Sequence, residues 1–169
     1  VSFDPADYPQ ALAELVAGDR RRPLGEGTPQ AGAKAALQRL DLAAAFAGQR
    51  VEDPAMARCC LSGVWLVHDF LDESHTHSQA ISTAEGSFWH GVMHRREGDF
   101  GNAKYWFRNV GDHPVYALLA DRFGGWDPYD FVDDCESAVR GGAGLEECLD
   151  RQQAEWELLF DYCFRGAIA

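Results

Sequence analysis

The chain has 169 residues, 46% of them hydrophobic and 25% charged, with a formal charge of −12. That length suits one domain with a core able to stand without disulfides or a structural metal, and no apolar run approaches the ~20 residues that cross a bilayer. So acidic a balance excludes the broad basic surface that nucleic acid requires, whereas two or three clustered cations suffice for a small anionic or polar molecule.

Five cysteines, an odd number without a C-x-x-C pair, read as reduced core residues. The N-terminal VSFDPADYPQ has neither the basic nor the apolar region of a secretory signal, so such a signal is absent or already removed, and the expected location is cytoplasmic. A homo-oligomer is compatible with the pattern.

Helix punctuation is dense. Asp53-Pro54, Asp127-Pro128 and Thr28-Pro29 each put a capping side chain before a proline at the first helical position. Gly18, Gly48, Gly98, Gly111 and Gly141-Gly142 mark helix ends. The resulting helices fall at about 8–17, 30–47, 54–72, 84–97, 102–110, 114–122, 128–140 and 144–165, and no stretch alternates as a strand. The expected fold is therefore all-α, a single-domain multi-helix bundle over residues 1–169.

Residues 1–28, closing in the loop-like GDRRRPLGEGTP, read as a peripheral arm and loop. The alanine-rich helix at 30–47 reads as scaffold. The segment 54–72 is apolar around most of its circumference and is expected to be the buried central helix. His68 within it is either a hydrogen-bonded core residue or a pocket residue. Residues 73–79 read as a polar loop in which His75 and His77 face one cavity, and Ser82-Thr83-Ala84-Glu85 as a capping box for the next helix. Carboxylates crowding the start of helix 128–140 suit its positive dipole end, and helix 144–165 carries one amphipathic face that closes the core.

The candidate site lies between Phe88 and Arg108. This stretch holds six of the twenty aromatic residues, His90 and His94, and the cations Arg95, Arg96, Lys104 and Arg108 against only Glu97 and Asp99. A basic, aromatic, histidine-bearing island in an acidic chain is where an anionic or polar ligand is best served. His90 and His94 are one helical turn apart, so both rings can reach a single ion or ligand group, and Glu97 joins their stripe. The spacing lacks the glutamate of H-E-x-x-H and reverses the Glu-x-x-His of di-iron bundles.

Arg96 projects into the apolar arc of its helix, where a guanidinium needs a carboxylate or a bound anion. Candidate partners are Asp69, Asp72, Glu73 and Glu85. Arg95 projects beside Gly91, which would let a ligand or another backbone approach. Lys104 and Arg108, one turn apart, can clamp a phosphate or carboxylate or form a solvated edge. His113, before Pro114, is either a cap or a ligand contact.

The blocks LVHDFLDESHTHSQ and GSFWHGVMHRREGDFGNAKYWFRNVGDHP, with the segment linking them, resemble an uncharacterised family of bacterial and fungal proteins over about residues 64–119. The resemblance implies that this stretch works as one unit; it implies no activity and no substrate.

Three functions compete. In the first, a metal-independent pocket uses His90, His94 and Glu97 for proton transfer while Arg95, Arg96, Lys104, Arg108 and His113 hold a small anionic or polar molecule. The second is a hydrolase or oxygenase with a divalent metal (zinc, iron or manganese) on His90 and His94, assisted by His68, His75 or His77, with Glu97 as ligand or base. In the third, a non-catalytic interaction protein uses the same stretch as core.

Overall fold

A computed structural model describes residues 3–169. Among them are ten α-helices, two 3-10 turns and no strand, and no helix is long and apolar enough to cross a membrane. After a 3-10 turn at Pro5–Asp7 come α1 (Gln10–Val16), a second turn at Ala31–Ala33, α2 (Lys34–Arg39), α3 (Leu42–Ala45) and α4 (Pro54–Val67). Then follow α5 (Leu71–Ser78), α6 (Ala84–Glu97), α7 (Phe100–Val110), α8 (Pro114–Phe123), α9 (Pro128–Val139) and α10 (Leu145–Ile168).

The caps explain most boundaries. Asp53 and Asp127 each accept two backbone N–H bonds ahead of a proline, starting α4 and α9. Thr83 accepts from Gly86 and starts α6, which Gly98 ends with φ 85°. Asp99, not Asn102, caps α7, so that helix begins at Phe100. The helix expected at 30–47 is broken: Leu40 is extended, with ψ 95°, and Asp41 caps a new helix through the Ala44 N–H.

The expected central helix at 54–72 also stops early, at Val67. Asp69 turns the chain with φ 63°, the one non-glycine residue in left-handed conformation among those described. A lone left-handed non-glycine residue costs of order 1–3 kcal/mol and persists only when its surroundings hold it. Here the carboxylate accepts hydrogen bonds from Arg22, from Arg96 and from the Thr28 N–H. The turn restarts the chain as α5, so residues 73–79 are helix and not loop.

Two helices share the centre. In α4 every residue from Cys59 to Val67 is buried, and in α6 every residue from Gly86 to Arg96. They meet closely because Gly63 has no side chain: a Cβ there would stand 2.8 Å from the Trp89 ring. The Trp156 indole of α10 donates to the Gly63 carbonyl at 2.9 Å, fixing the third wall of this core. Full burial of Phe88, Trp89, Val92 and Met93 contributes about 1.5–3 kcal/mol per large side chain.

The N-terminal segment is not peripheral. Leu12, Leu15 and Val16 are buried, and the Tyr8 ring packs edge-on against Phe160 and Phe164. Arg20 pairs with Glu157 at 2.9 Å, and Gln152 donates to the Arg22 and Pro23 carbonyls. All five cysteines are free and buried, as their apolar spacing suggests.

Candidate functional site

The site forms where α5, α6 and α7 meet. On α6, His90 and His94 stack with ring centroids 4.7 Å apart, as one-turn spacing dictates. His90 also stacks on Trp106 of α7 at 3.8 Å, with the planes 13° apart. His75 meets both histidines edge-on, its centroid 4.6 Å from His90 and 5.4 Å from His94. One ring nitrogen from each of the three lies within 4.8 Å of the others.

His90 is 3% exposed, and its Nδ1 has no hydrogen-bond partner. Burial, then the nearby His94 and His75, lowers its pKa from 6.5 to about 3. It is a neutral imidazole at any physiological pH, the state a metal ligand needs. His94 Nδ1 lies 2.5 Å from Glu97 Oε1, and the Asn102 amide lies 3.1 Å from His94 Nε2. With Nδ1–H donating to Glu97, Nε2 carries the lone pair, which accepts from Asn102. His94, Glu97 and Asp99 form a second, more exposed group with ligand geometry.

The other two expected imidazoles do not join this cluster. His68, at the turn after α4, has one ring nitrogen 2.8 Å from Gln30 Oε1 and the other 2.8 Å from the Leu15 carbonyl. It therefore pins the N-terminal segment to the core, and burial lowers its pKa. His77 lies two residues beyond His75 on a helix, not in a loop, so the two rings leave α5 in different directions. Burial lowers its pKa as well.

The expected anion clamp does not assemble. Arg95, 1% exposed, forms a forked pair with Glu155 of α10 at 3.1 and 2.5 Å and lies over the Phe131 ring at 4.5 Å. Arg96 is buried as expected and paired with Asp69 at 2.7 Å, while its remaining donors reach the Gly25, Glu26 and Leu66 carbonyls. Burial alone would raise the Asp69 carboxyl, but the hydrogen bonds from Arg22 and Arg96 outweigh it and hold the pKa below 3.8. Lys104 pairs with Asp133 at 2.6 Å. Arg108 is exposed, its guanidinium 5.8 Å from the Tyr105 ring.

His113 caps α8 by accepting from the Val115 N–H, and its Nε2 lies 3.5 Å from Glu85. That contact with His113 is the main reason Glu85 titrates lower than an ordinary glutamate. Gly91 makes room for no ligand, since a Cβ there would meet the Phe107 ring at 3.1 Å. Arg95, Arg96 and Lys104 are thus paired with carboxylates, His113 takes the capping one of its two readings, and Arg108 is solvated.

Sequence reasoning missed Trp106 and Asn102 as neighbours of the imidazoles, and Glu155 as the partner of Arg95. Glu155 was within reach: it stands three residues after Gln152 and directly before Trp156, on the apolar face of α10, where a carboxylate needs a cation. No family model, curated protein or solved structure matches the chain.

Proposed function

We propose that the protein is a metal-dependent hydrolase whose metal ligands are His75, His90 and His94. The observation that carries this reading is the convergence of three imidazoles, one of them buried and otherwise unpartnered. A buried polar nitrogen without a partner costs about 1–3 kcal/mol, and an ion would remove that cost. A tetrahedral ion with bonds of about 2.0–2.1 Å holds its ligands ~3.4 Å apart. The three ring nitrogens stand within 4.8 Å of one another, so an ion would have to draw them closer.

An ion held by His75, His90 and His94 would supply a Lewis acid that activates a bound water for hydrolysis. Around it the chain's own groups have defined parts. Glu97 accepts from His94 Nδ1, fixing the tautomer that presents Nε2. Trp106 lies flat on His90 and holds its ring plane. Asn102 competes with the ion for the His94 Nε2 lone pair.

The test is elemental analysis of protein purified from zinc-supplemented cells, with p-nitrophenyl acetate hydrolysis as a generic activity. Expected are about one equivalent of zinc, hydrolysis lost on chelation and restored by zinc, and His75→Gln and His90→Gln each weakening zinc by about 100-fold. Wild-type protein that takes up no zinc, iron or manganese overturns the reading. The 2.5 Å contact favours one alternative, a metal-free His94–Glu97 pair acting as general base. Hydrolysis that survives chelation and disappears in Glu97→Gln would select it.

A further inference from the structure

The α9–α10 hairpin carries a pair of thiols that the imidazole centre does not use. On α9, Phe131, Cys135 and Ala138 follow one another at steps of four and three, so they share one buried face. That face packs on Cys148, in the first turn of α10, and on Leu24 of the N-terminal segment, forming a small cluster apart from the main core. The Cys135 and Cys148 side chains lie within hydrogen-bonding reach of each other, and both are free thiols. Thiol against thiol is the arrangement a disulfide needs, whereas a single buried cysteine acts only as a small apolar side chain.

A second pair, Cys59 of α4 and Cys163 of α10, also makes thiol contact. Both are 0% exposed within the main core, so the central helices would have to part before an oxidant reached them. The α9–α10 pair stands differently. Every residue from Val139 to Glu147 is exposed, and Cys148 follows directly on that connection. Gly144 caps α10 with φ 87° and offers no side-chain acceptor, so the first N–H groups of the helix lack the partner that Asp53 and Asp127 give to α4 and α9. An uncapped first turn beside an exposed connection opens locally at far lower cost than the whole fold. Burial pushes the Cys135 thiol up to about 12 against the pull of Arg95, and it raises Cys148 as well, so the closed pair is protonated and reaction waits on that opening.

We propose that Cys135 and Cys148 are a site of oxidative modification, closing to a disulfide that ties α9 to α10 when the protein meets a low-molecular-weight disulfide. Cys148 Sγ, exposed by opening of its turn and deprotonated to solvent, attacks one sulfur of the oxidant; that S–S bond breaks and one thiolate leaves. Cys135 then gives its proton to water and attacks the Cys148 sulfur of the mixed disulfide, expelling the second thiolate. Two protein thiols lose two electrons, and the small disulfide is reduced to two thiols that take up the two protons.

The test incubates the native full chain with glutathione disulfide, quenches samples with iodoacetamide and reads intact mass and peptide maps. Expected is a product lighter by two hydrogens in which only Cys135 and Cys148 are joined, reversed by dithiothreitol. Cys135→Ser should instead hold a lasting glutathione adduct on Cys148, and Cys148→Ser should leave Cys135 unmodified over the same interval. In urea the oxidised wild type should show an unfolding equilibrium constant about 100-fold below that of the reduced protein, because the bond restricts the unfolded chain. The wild-type measurements stand even where a serine variant does not fold. Closure between Cys59 and Cys163, a lasting glutathione adduct on wild-type Cys148, or thiols all still free after the first-turn amides of α10 have exchanged with deuterium overturns the proposal.

Discussion

The arginines and the histidines of α6 obey opposite rules. Arg95 and Arg96 are the most costly groups in the helix to bury, and the fold answers each with a carboxylate from another helix or turn: Glu155 for one, Asp69 for the other. His94, directly before Arg95, and His90, one turn further up the helix, are cheaper to bury, and the fold leaves His90 Nδ1 with no partner at all. A charge that must be buried is matched or the protein does not fold. An imidazole can be buried neutral, so a set of converging imidazoles can be left open for chemistry. In this molecule, charge density marked the scaffold, and the meeting of three imidazoles marks the candidate site.

That contrast can be broken most severely at Glu155. Glu155→Leu strands the Arg95 guanidinium in a fully buried place and should cost about 3–5 kcal/mol in chemical denaturation, while the double variant R95M/E155L recovers most of the loss. If the double variant is no more stable than the single, the pair is not the reason for the burial of Arg95.

A smaller effect is expected at Asp69, where Arg96 keeps three carbonyl acceptors after the carboxylate is gone. Asp69→Asn should cost about 2 kcal/mol at neutral pH. The sign of its pH dependence follows from the lowered pKa of the Asp69 carboxyl. Its contribution is complete above the unfolded-state value of ~4 and is lost as pH falls through the folded-state value. Wild type and variant should therefore converge in stability in acid; a constant gap across that range would argue against the charge as the source.

Smallest of all is Lys104, whose partner Asp133 is half exposed and whose pair is screened by solvent. Lys104→Ala should change stability by less than about 1 kcal/mol and leave zinc content unchanged. A marked loss of metal or activity would return this lysine to the site.

How far the sequence could be read depended on whether the deciding interaction was local. Asp53-Pro54, Thr83 and Asp127-Pro128 started helices where they were expected, because a cap bonds to N–H groups two or three residues away. The break after Val67 was not legible. Asp69 takes its left-handed turn only because Arg22, Thr28 and Arg96, distant in sequence, converge on it. Missing that turn made α5 look like a loop, and it put His75 and His77 on the same footing. The helical wheel of α6 placed Arg96 and the two histidines but missed the burial of Arg95, because α4, α5, α7 and α10 cover the helix from several sides.

By itself the sequence determined the all-α class, the positions of most helix starts, the burial of Arg96 and the shared face of His90 and His94, because these follow from periodicity and from hydrogen bonds within one turn. Only the tertiary structure decided that His75, and neither His68 nor His77, completes the imidazole cluster, and that Arg95, Lys104 and His113 answer to Glu155, Asp133 and the start of α8. Those choices turn on which distant side chain meets each group once the helices pack. A pattern read along one helix carries no information about the chemistry of the helix that comes to lie against it.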